Sequence, residues 1–360
     1  MATCPDSQGG SSAVSRWPFG TGLDAGPDVH SWLFRRSSHT NQWSAGELLT
    51  VKVATSVSVV IPARDEQETV GDIITTIREE LVERVPLVDE ILVVDSRSSD
   101  RTAEVAAASG ARVVAQDDVL PWLPPLDGKG DALWKGLAAS SGDLVVFIDA
   151  DLHGFSADFV TGLLGPLLTD PTLAYVKGFY YRPFNHLAHT VPDGGGRVTE
   201  LVARPLLNMY WPALAGFVQP LAGEYAGRRD ILEQVPFVTG YGTELGLLVD
   251  LLELVGLDAM AQVDLGYRLH THQDNEALGR MAGQIMLTAF TRLQRQGRLV
   301  MDTVPSTVLA QFRRGDNECG IHRELVVTDI AVHERPPLAT QHIVDELVGQ
   351  GYSGDTGILT

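Results

Sequence analysis

The chain has 360 residues, 44% hydrophobic and 20% charged, which suits a globular enzyme with a sizeable core and excludes a disordered chain or a coiled coil. Its formal net charge of −19 argues against nucleic acid or an anionic membrane as a partner, and requires any anionic ligand to find a locally basic site or a metal. The cysteines, Cys4 and Cys319, give no disulfide framework and no zinc-binding spacing, which fits a reducing cytoplasm.

Residues 1–50 are rich in Ser, Gly, Pro and Asp without sustained periodicity, so a flexible N-terminal arm is expected, with a helical end near Gly46 to Ala54. No secretory signal pattern opens this stretch. The run Val57-Ser58-Val59-Val60-Ile61 then stops at Pro62, as a buried strand does. Glu66 to Val85 has helical spacing, Asp89 to Asp95 is a second strand ending in the polar turn Ser96 to Asp100, and Thr102 to Ser109 is a helix closed by Gly110. Ala111 to Ala115 makes a third strand, Asp131 to Ser140 a helix after Gly128-Lys129-Gly130, and Asp143 to Ile148 a fourth strand running into Asp149-Ala150-Asp151.

Apolar strands alternating with helices predict a mostly parallel, Rossmann-like α/β sheet covered on both faces. Ligands of such sheets sit beyond the carboxyl ends of the strands, where Pro62 to Glu66, Asp95 to Asp100 and Asp149 to Asp151 should converge. The second half mixes elements less regularly, with helices expected at Arg197 to Tyr210 and Asn275 to Gln296 and a strand at Ala261 to Leu265. The most apolar stretch, residues 245–263, carries Asp250, Glu253 and Asp258, and Leu245, Leu248, Leu252 and Val255 share one helical face. It reads as a buried helix, too polar for the run of about 20 apolar residues that a membrane span needs. Beyond Gly297 the pattern weakens, and residues 298–360 are expected to form an irregular extension or an oligomer contact.

Five clusters carry chemistry. Asp149 and Asp151 present hard oxygen ligands suited to Mg2+ or Mn2+, which would bridge a diphosphate leaving group; a lone D-x-D is more often a polar turn, but its place at a strand end favours the metal. Asp65 or Glu66 either caps a helix or belongs to a loop that holds a nucleobase and ribose. Lys129, between two glycines, lacks the spacing of a phosphate-binding Walker loop, and on its own reads as a flexible turn. The string Gly194-Gly195-Gly196-Arg197-Val198-Thr199 enters a helix beside Lys177, Arg182 and Arg204, and is expected to bind a phosphate or carboxylate. His270 or His272, near Arg268, would complete a metal shell.

Ser58 to Ala63 with Asp65-Glu66, then Val93-Val94-Asp95-Ser96 and Ser99-Asp100, then the D-x-D, resemble the nucleotide-binding half of a GT-A glycosyltransferase. Gly128 to Trp134, Gly194 to Pro205, Gln219 to Tyr225 and Gly240 to Gly246 narrow the resemblance to the actinobacterial glucosyl-3-phosphoglycerate synthases, over about Val57 to Arg295. The resemblance implies residues 51–152 as a nucleotide-sugar-binding half and 153–297 as an acceptor-binding half of one GT-A domain. It implies retaining, Mg2+-dependent transfer of glucose from UDP-glucose to the 2-hydroxyl of 3-phosphoglycerate by a homodimer. Pro62, Ala63, Glu66, Ser96 and Lys129 would hold the uridine, and Asp149 would contact the nucleotide. Asp151 and His270 would hold the metal, and Tyr241 and Glu244 would meet the donor, with Arg268 near its phosphates. Gly196, Arg197 and Thr199 would grip the acceptor. Arg64 departs from the family pattern, which has an apolar residue beside the base, and 271–274 lacks an arginine expected near the diphosphate. Mannosyl transfer from GDP-mannose is the alternative, and a non-catalytic nucleotide-sugar-binding protein is the alternative from another class.

Overall fold

A computed structural model describes residues 29–181, 184–186, 189–191, 196–267, 274–317 and 320–341. In chain order the elements begin with α1 (Val29–Arg36), β1 (Ser37–His39), α2 (Ala45–Lys52), β2 (Val57–Ala63), α3 (Val70–Ile77, continued by a π-helical turn to Arg84), β3 (Glu90–Asp95), α4 (Thr102–Ala108) and β4 (Arg112–Ala115). They continue with α5 (Lys129–Ala139), β5 (Leu144–Phe147), α6 (Asp158–Thr169), β6 (Tyr175–Tyr181), the short pair β7 (Phe184–His186) and β8 (His189–Val191), a π-helical turn Thr199–Ala203 leading into α7 (Arg204–Tyr210), β9 (Tyr225–Arg228) and α8 (Arg229–Leu232). The last third holds β10 (Phe237–Val238), α9 (Thr243–Val255), β11 (Met260–Tyr267), α10 (Asn275–Arg295), β12 (Val308–Asn317), β13 (Gly320–Asp329) and β14 (Glu334–Arg335).

Eight strands form one sheet in the order β1-β11-β6-β9-β5-β2-β3-β4. Every neighbouring pair is parallel except the two made by β9, which runs antiparallel between β5 and β6. The expected mostly parallel α/β sheet is therefore present, and its pleat separates two cores. Val57, Val59 and Ile61 face α3 and α6, whereas Val60, Leu92, Val94 and Phe147 face α5, α9 and α10. Gly136 lets α5 lie close on the sheet, since a Cβ there would stand 2.4 Å from Val60.

Three expectations change. Residues 29–50 are not arm-like: β1 pairs with β11, and Trp32 is 1% exposed, donating to the Leu257 carbonyl at 3.1 Å and packing its ring 4.8 Å from Phe217. The stretch 245–263 is not one helix, because Gly256 at φ 78° ends α9 and the chain turns into β11. The extension after Gly297 is not irregular throughout: within its described residues β12 and β13 make a ten-residue antiparallel ribbon, and β14 returns to pair with β10. Arg335 of β14 is buried against Asp131 at 2.5 Å and donates to the Pro124 carbonyl at 2.7 Å, while Trp134 donates to the Pro336 carbonyl at 2.9 Å. A fully buried charge persists only with such a partner, so the C-terminal strand is bound to the helix that begins at Lys129.

Candidate active site

The carboxyl ends of β2, β3 and β5 lie side by side, and their loops interlock. The Ser96 amide donates to the Ala63 carbonyl at 2.8 Å. The Asp65 carboxylate accepts from the Ser99 amide at 2.6 Å and hydroxyl at 3.0 Å, which hold its pKa below the usual carboxylate value. Asp65 and Arg97 occupy left-handed conformations, at φ 56° and 60°, that non-glycine residues adopt only when neighbours enforce them. Arg97 pairs with Asp117 and Asp127, fastening both ends of the loop that leads to Gly128. Neither Asp65 nor Glu66 caps α3; Thr69 stands at the cap and gives its hydroxyl to the Ala150 carbonyl at 2.6 Å. Pro62, Ala63, Glu66 and Ser96 thus come together beside the D-x-D. Arg64 turns to solvent, its side chain 61% exposed.

The Glu66 carboxyl is pushed up in pKa, first by burial and then by the charge of Asp151, with Asp100 and Asp149 adding to it. This concentration of carboxylates on a partly buried surface suits a divalent cation. Asp151 is exposed at the strand end and fits the hard-oxygen chemistry of Mg2+ or Mn2+. Among the described residues no group of three His, Cys, Asp or Glu side chains is close enough to enclose a metal. An ion here would accordingly use ligand phosphates and water as well, as Mg2+ commonly does. His270, His272 and Arg268 lie outside the described residues.

Lys129 does more than mark a turn. Its ammonium pairs with Asp149 and lies 3.4 Å from Glu244, in the first turn of α9. Burial lowers its pKa, but Asp149 and Glu244, with Glu224, outweigh that and hold it above the ordinary lysine value. The flanking glycines allow a close backbone approach: a Cβ on Gly128 would stand 2.1 Å from the Thr239 carbonyl oxygen, and one on Gly130 1.7 Å from that of Val238. Gly240 and Gly242 are pressed in the same way onto Gln284 and Thr288 of α10, which leaves Tyr241 44% exposed at the surface. Gly223 closes the cluster from another side, because a Cβ there would stand 2.3 Å from the Asp149 carboxylate and 2.5 Å from the Lys129 ammonium. Glu224, absent from the candidates drawn from sequence, is wholly buried next to it.

A cleft of ≈ 540 Å³ adjoins this cluster, lined by Tyr180, Gly196, Thr199, Gln219 and Ala222 among others. Gly196 takes φ 79° and Thr199 is buried in the first turn after it. Arg197 is exposed and reaches the Asn275 side chain, at the start of α10, at 2.9 Å. The other basic residues expected here do not all contribute. Arg204 does line the cleft, forked onto Glu200 at 2.7 and 2.9 Å; Lys177 is 1% exposed on β6; Arg182, Gly194 and Gly195 lie outside the described residues.

Since Asp149 and Lys129 pack directly on Gly223, the Gly223→Ala protein should keep its circular dichroism spectrum but lose about 100-fold in kcat/KM with a nucleotide sugar, the scale on which small misplacements of catalytic groups act. An unchanged kcat/KM would mean that this contact does not position the pair.

Comparison with known proteins agrees with this geometry. Glycosyl transferase family 2 matches residues 58–192. The glucosyl-3-phosphoglycerate synthase of Mycolicibacterium smegmatis is 47% identical over 311 residues, 86% of this chain and 98% of that one. The crystal structure of mannosyl-3-phosphoglycerate synthase from Rubrobacter xylanophilus superposes with a TM-score of 0.79 at 40% identity, covering 88% of this chain and 99% of that one. Glucosyl-3-phosphoglycerate synthase from Mycobacterium tuberculosis in complex with Mn2+, UDP-glucose and phosphoglyceric acid gives 0.72 at 42% identity, over 85% and 98%, and it is also known in complex with Mg2+ and UDP. With the GT-A sheet in place, the paired carboxylates at its strand ends and nearly half of all residues shared along a whole relative, the chain belongs to the glucosyl-3-phosphoglycerate synthase family.

Proposed function

We propose that the protein transfers glucose from UDP-glucose to 3-phosphoglycerate, with retention at the anomeric carbon and with Mg2+ or Mn2+. The acceptor has a single free hydroxyl, on carbon 2, between a carboxylate and a phosphate, so the product is the 2-O-glucoside. The observation that carries the reading is contiguity: the Lys129–Asp149–Glu244 cluster and the cleft of Gly196 and Thr199 meet through the segment Leu221 to Gly223. The substrates that the M. tuberculosis relative holds support the choice of donor and acceptor.

In this reading Pro62, Ala63, Glu66 and Ser96 hold the uridine, with Lys129 and Asp149 beside the nucleotide. Tyr241 and Glu244 meet the donor sugar. Asp151 and His270 would hold the cation, which when bound offsets the charge developing on the departing diphosphate, and Arg268 would stand near the same phosphates. Gly196, Arg197 and Thr199 take the acceptor's anionic groups and so aim its hydroxyl at the anomeric carbon. Glu244 is 7% exposed and engaged by Lys129, which suits an acceptor of sugar hydroxyl hydrogen bonds better than a nucleophile. Attack then comes from the face the diphosphate leaves: the anomeric C–O bond to phosphate breaks, the bond to the acceptor oxygen forms, and the hydroxyl proton passes to the departing phosphate oxygen. Both substrates are membrane-impermeant anions, so we assign the reaction to the cytoplasm. Among the described residues no helix is long and apolar enough to cross a membrane.

Arg197→Ala should raise the KM for 3-phosphoglycerate by about 10- to 100-fold, the worth of a hydrogen bond to a charged group, and leave that for UDP-glucose unchanged. Equal changes in both constants, or none, would contradict this assignment of the acceptor site.

We also propose a homodimer joined through the β12–β13 ribbon. One face of the ribbon is exposed and apolar, with Val308 60%, Phe312 72%, Leu325 56% and Val327 58% exposed. Ala310 pairs across with Val327 and Phe312 with Leu325. The other face is fastened to α10, where Arg313 pairs with Glu276 at 2.7 Å. An apolar face held out in this way matches the patches that associate with a second copy. Light scattering should report a dimer for the wild type and a monomer for the Phe312→Asp/Leu325→Asp double variant; a wild-type monomer, or a variant that stays dimeric, would count against it.

A further inference from the structure

Lys177 is a buried charge for which the reaction outlined above has no use. It lies on β6, 1% exposed, where the register sets it opposite Tyr225 of β9. Its ammonium donates to the Ala222 carbonyl at 2.8 Å, stands 3.4 Å from the Tyr175 hydroxyl and sits 5.0 Å from the centre of the Tyr225 ring. The next residue, Gly178, gives its amide to the Glu224 carbonyl at 2.8 Å. The segment Ala222-Gly223-Glu224 is therefore held by β6 at both ends, and Gly223 between them is the surface on which Asp149 and Lys129 pack. A lysine is placed in a protein interior only against desolvation, which opposes its charge. Here the carboxylates of Asp149, Glu224 and Glu244 supply the compensation.

We propose that Lys177 is a positioning residue for the donor: it fixes the Ala222-Gly223-Glu224 segment that seats Asp149 and Lys129, and it supplies a second positive charge to the carboxylate cluster that faces the sugar. The inference rests on the functional reading above. Lys129 alone faces three carboxylates, so without Lys177 the cluster holds two uncompensated negative charges in a site that must also admit a diphosphate.

Among the described residues, titratable groups face Lys177 from several elements. They are Tyr175 on its own strand, Tyr225 on β9, Glu224 just before β9, Lys129 at the start of α5, Asp149 after β5 and Glu244 on α9. Burial lowers the Lys177 pKa most and Lys129 lowers it further; Glu244, Glu224 and Asp149 oppose them, and it is pushed down to about 8. Burial lifts the Tyr175 and Tyr225 phenols well above their usual value, so they stay neutral through that range.

The test is the Lys177→Met enzyme, assayed with UDP-glucose, 3-phosphoglycerate and Mg2+, together with its melting temperature. The KM for UDP-glucose should rise about tenfold and the KM for 3-phosphoglycerate stay near wild type, even though loss of a buried cation lowers the melting temperature. A donor KM that does not move, or losses in every constant that track a fall in melting temperature, would overturn the proposal. Should Lys177→Met not fold, the wild type serves: its donor KM should climb between about pH 7 and about pH 9 as the ammonium is lost, with the acceptor KM level, and a flat donor KM would overturn the proposal equally. Calorimetric binding of UDP with Mg2+ separates the two readings. Wild-type protein that binds UDP but never turns over UDP-glucose contradicts the functional reading, and the wild-type to Lys177→Met ratio of UDP affinity then judges the lysine.

Discussion

Gathering Asp149, Glu224 and Glu244 into one largely dehydrated cluster is the constraint that organises the catalytic half of this protein. Like carboxylates at short range repel, and their desolvation costs several kcal/mol each unless cations are brought to them. Lys129 is the cation on the ligand side, and it reaches Asp149 and Glu244 only because α5 starts hard against the 238–240 backbone. That approach is what excludes a side chain at Gly128 and Gly130, and the carboxylate–ammonium contact is what excludes one at Gly223. The glycines in these strings are steric consequences of one electrostatic arrangement.

The same constraint explains the C-terminal strand. A helix whose first residue carries the key cation must not shift along its axis. Arg335 is buried on Asp131, two residues into α5, and also takes the Pro124 carbonyl of the loop that enters the helix. Gln116 gives its amide to Asp131 at 2.5 Å, and Arg97 holds the far side of the loop through Asp117 and Asp127. Thr239, whose carbonyl receives the Gly130 amide, is itself paired to His333 at 2.9 Å. Segments as far apart in sequence as Arg97 and Arg335 thereby converge on the position of one lysine.

The parallel sheet was legible because its strands are buried on both faces and read as nearly continuous apolar runs, as Val57 to Ile61 and Leu144 to Ile148 do. The gathering of the D-x-D, Glu66 and Ser96 beyond the strand ends was legible for a related reason, since the ends of parallel strands in such a sheet lie along one edge. Lys129 was ambiguous from local sequence, since its partners Asp149 and Glu244 are far along the chain and only tertiary packing joins them. Lys177 reads from sequence as one of the basic residues around the glycine string, because charge is usually a surface property; nothing near it in sequence announces that β9 will cover it. The ribbon and β14 were missed although the alternating burial of Val308 to Phe312 has a strand's period, because one face is apolar and exposed and so gives no contrast of the expected sign. Trp32 was overlooked within a stretch whose composition resembles a linker, yet its ring is among the most deeply buried in the chain.

The central claim is that one site joins a nucleotide-sugar donor to a small doubly anionic acceptor with the help of a cation. The most direct measurement is nucleotide diphosphate release from UDP-glucose and from GDP-mannose, each with and without 3-phosphoglycerate and Mg2+. The account predicts release from UDP-glucose only when acceptor and metal are both present. Release from GDP-mannose alone, or from UDP-glucose independently of 3-phosphoglycerate, would contradict it.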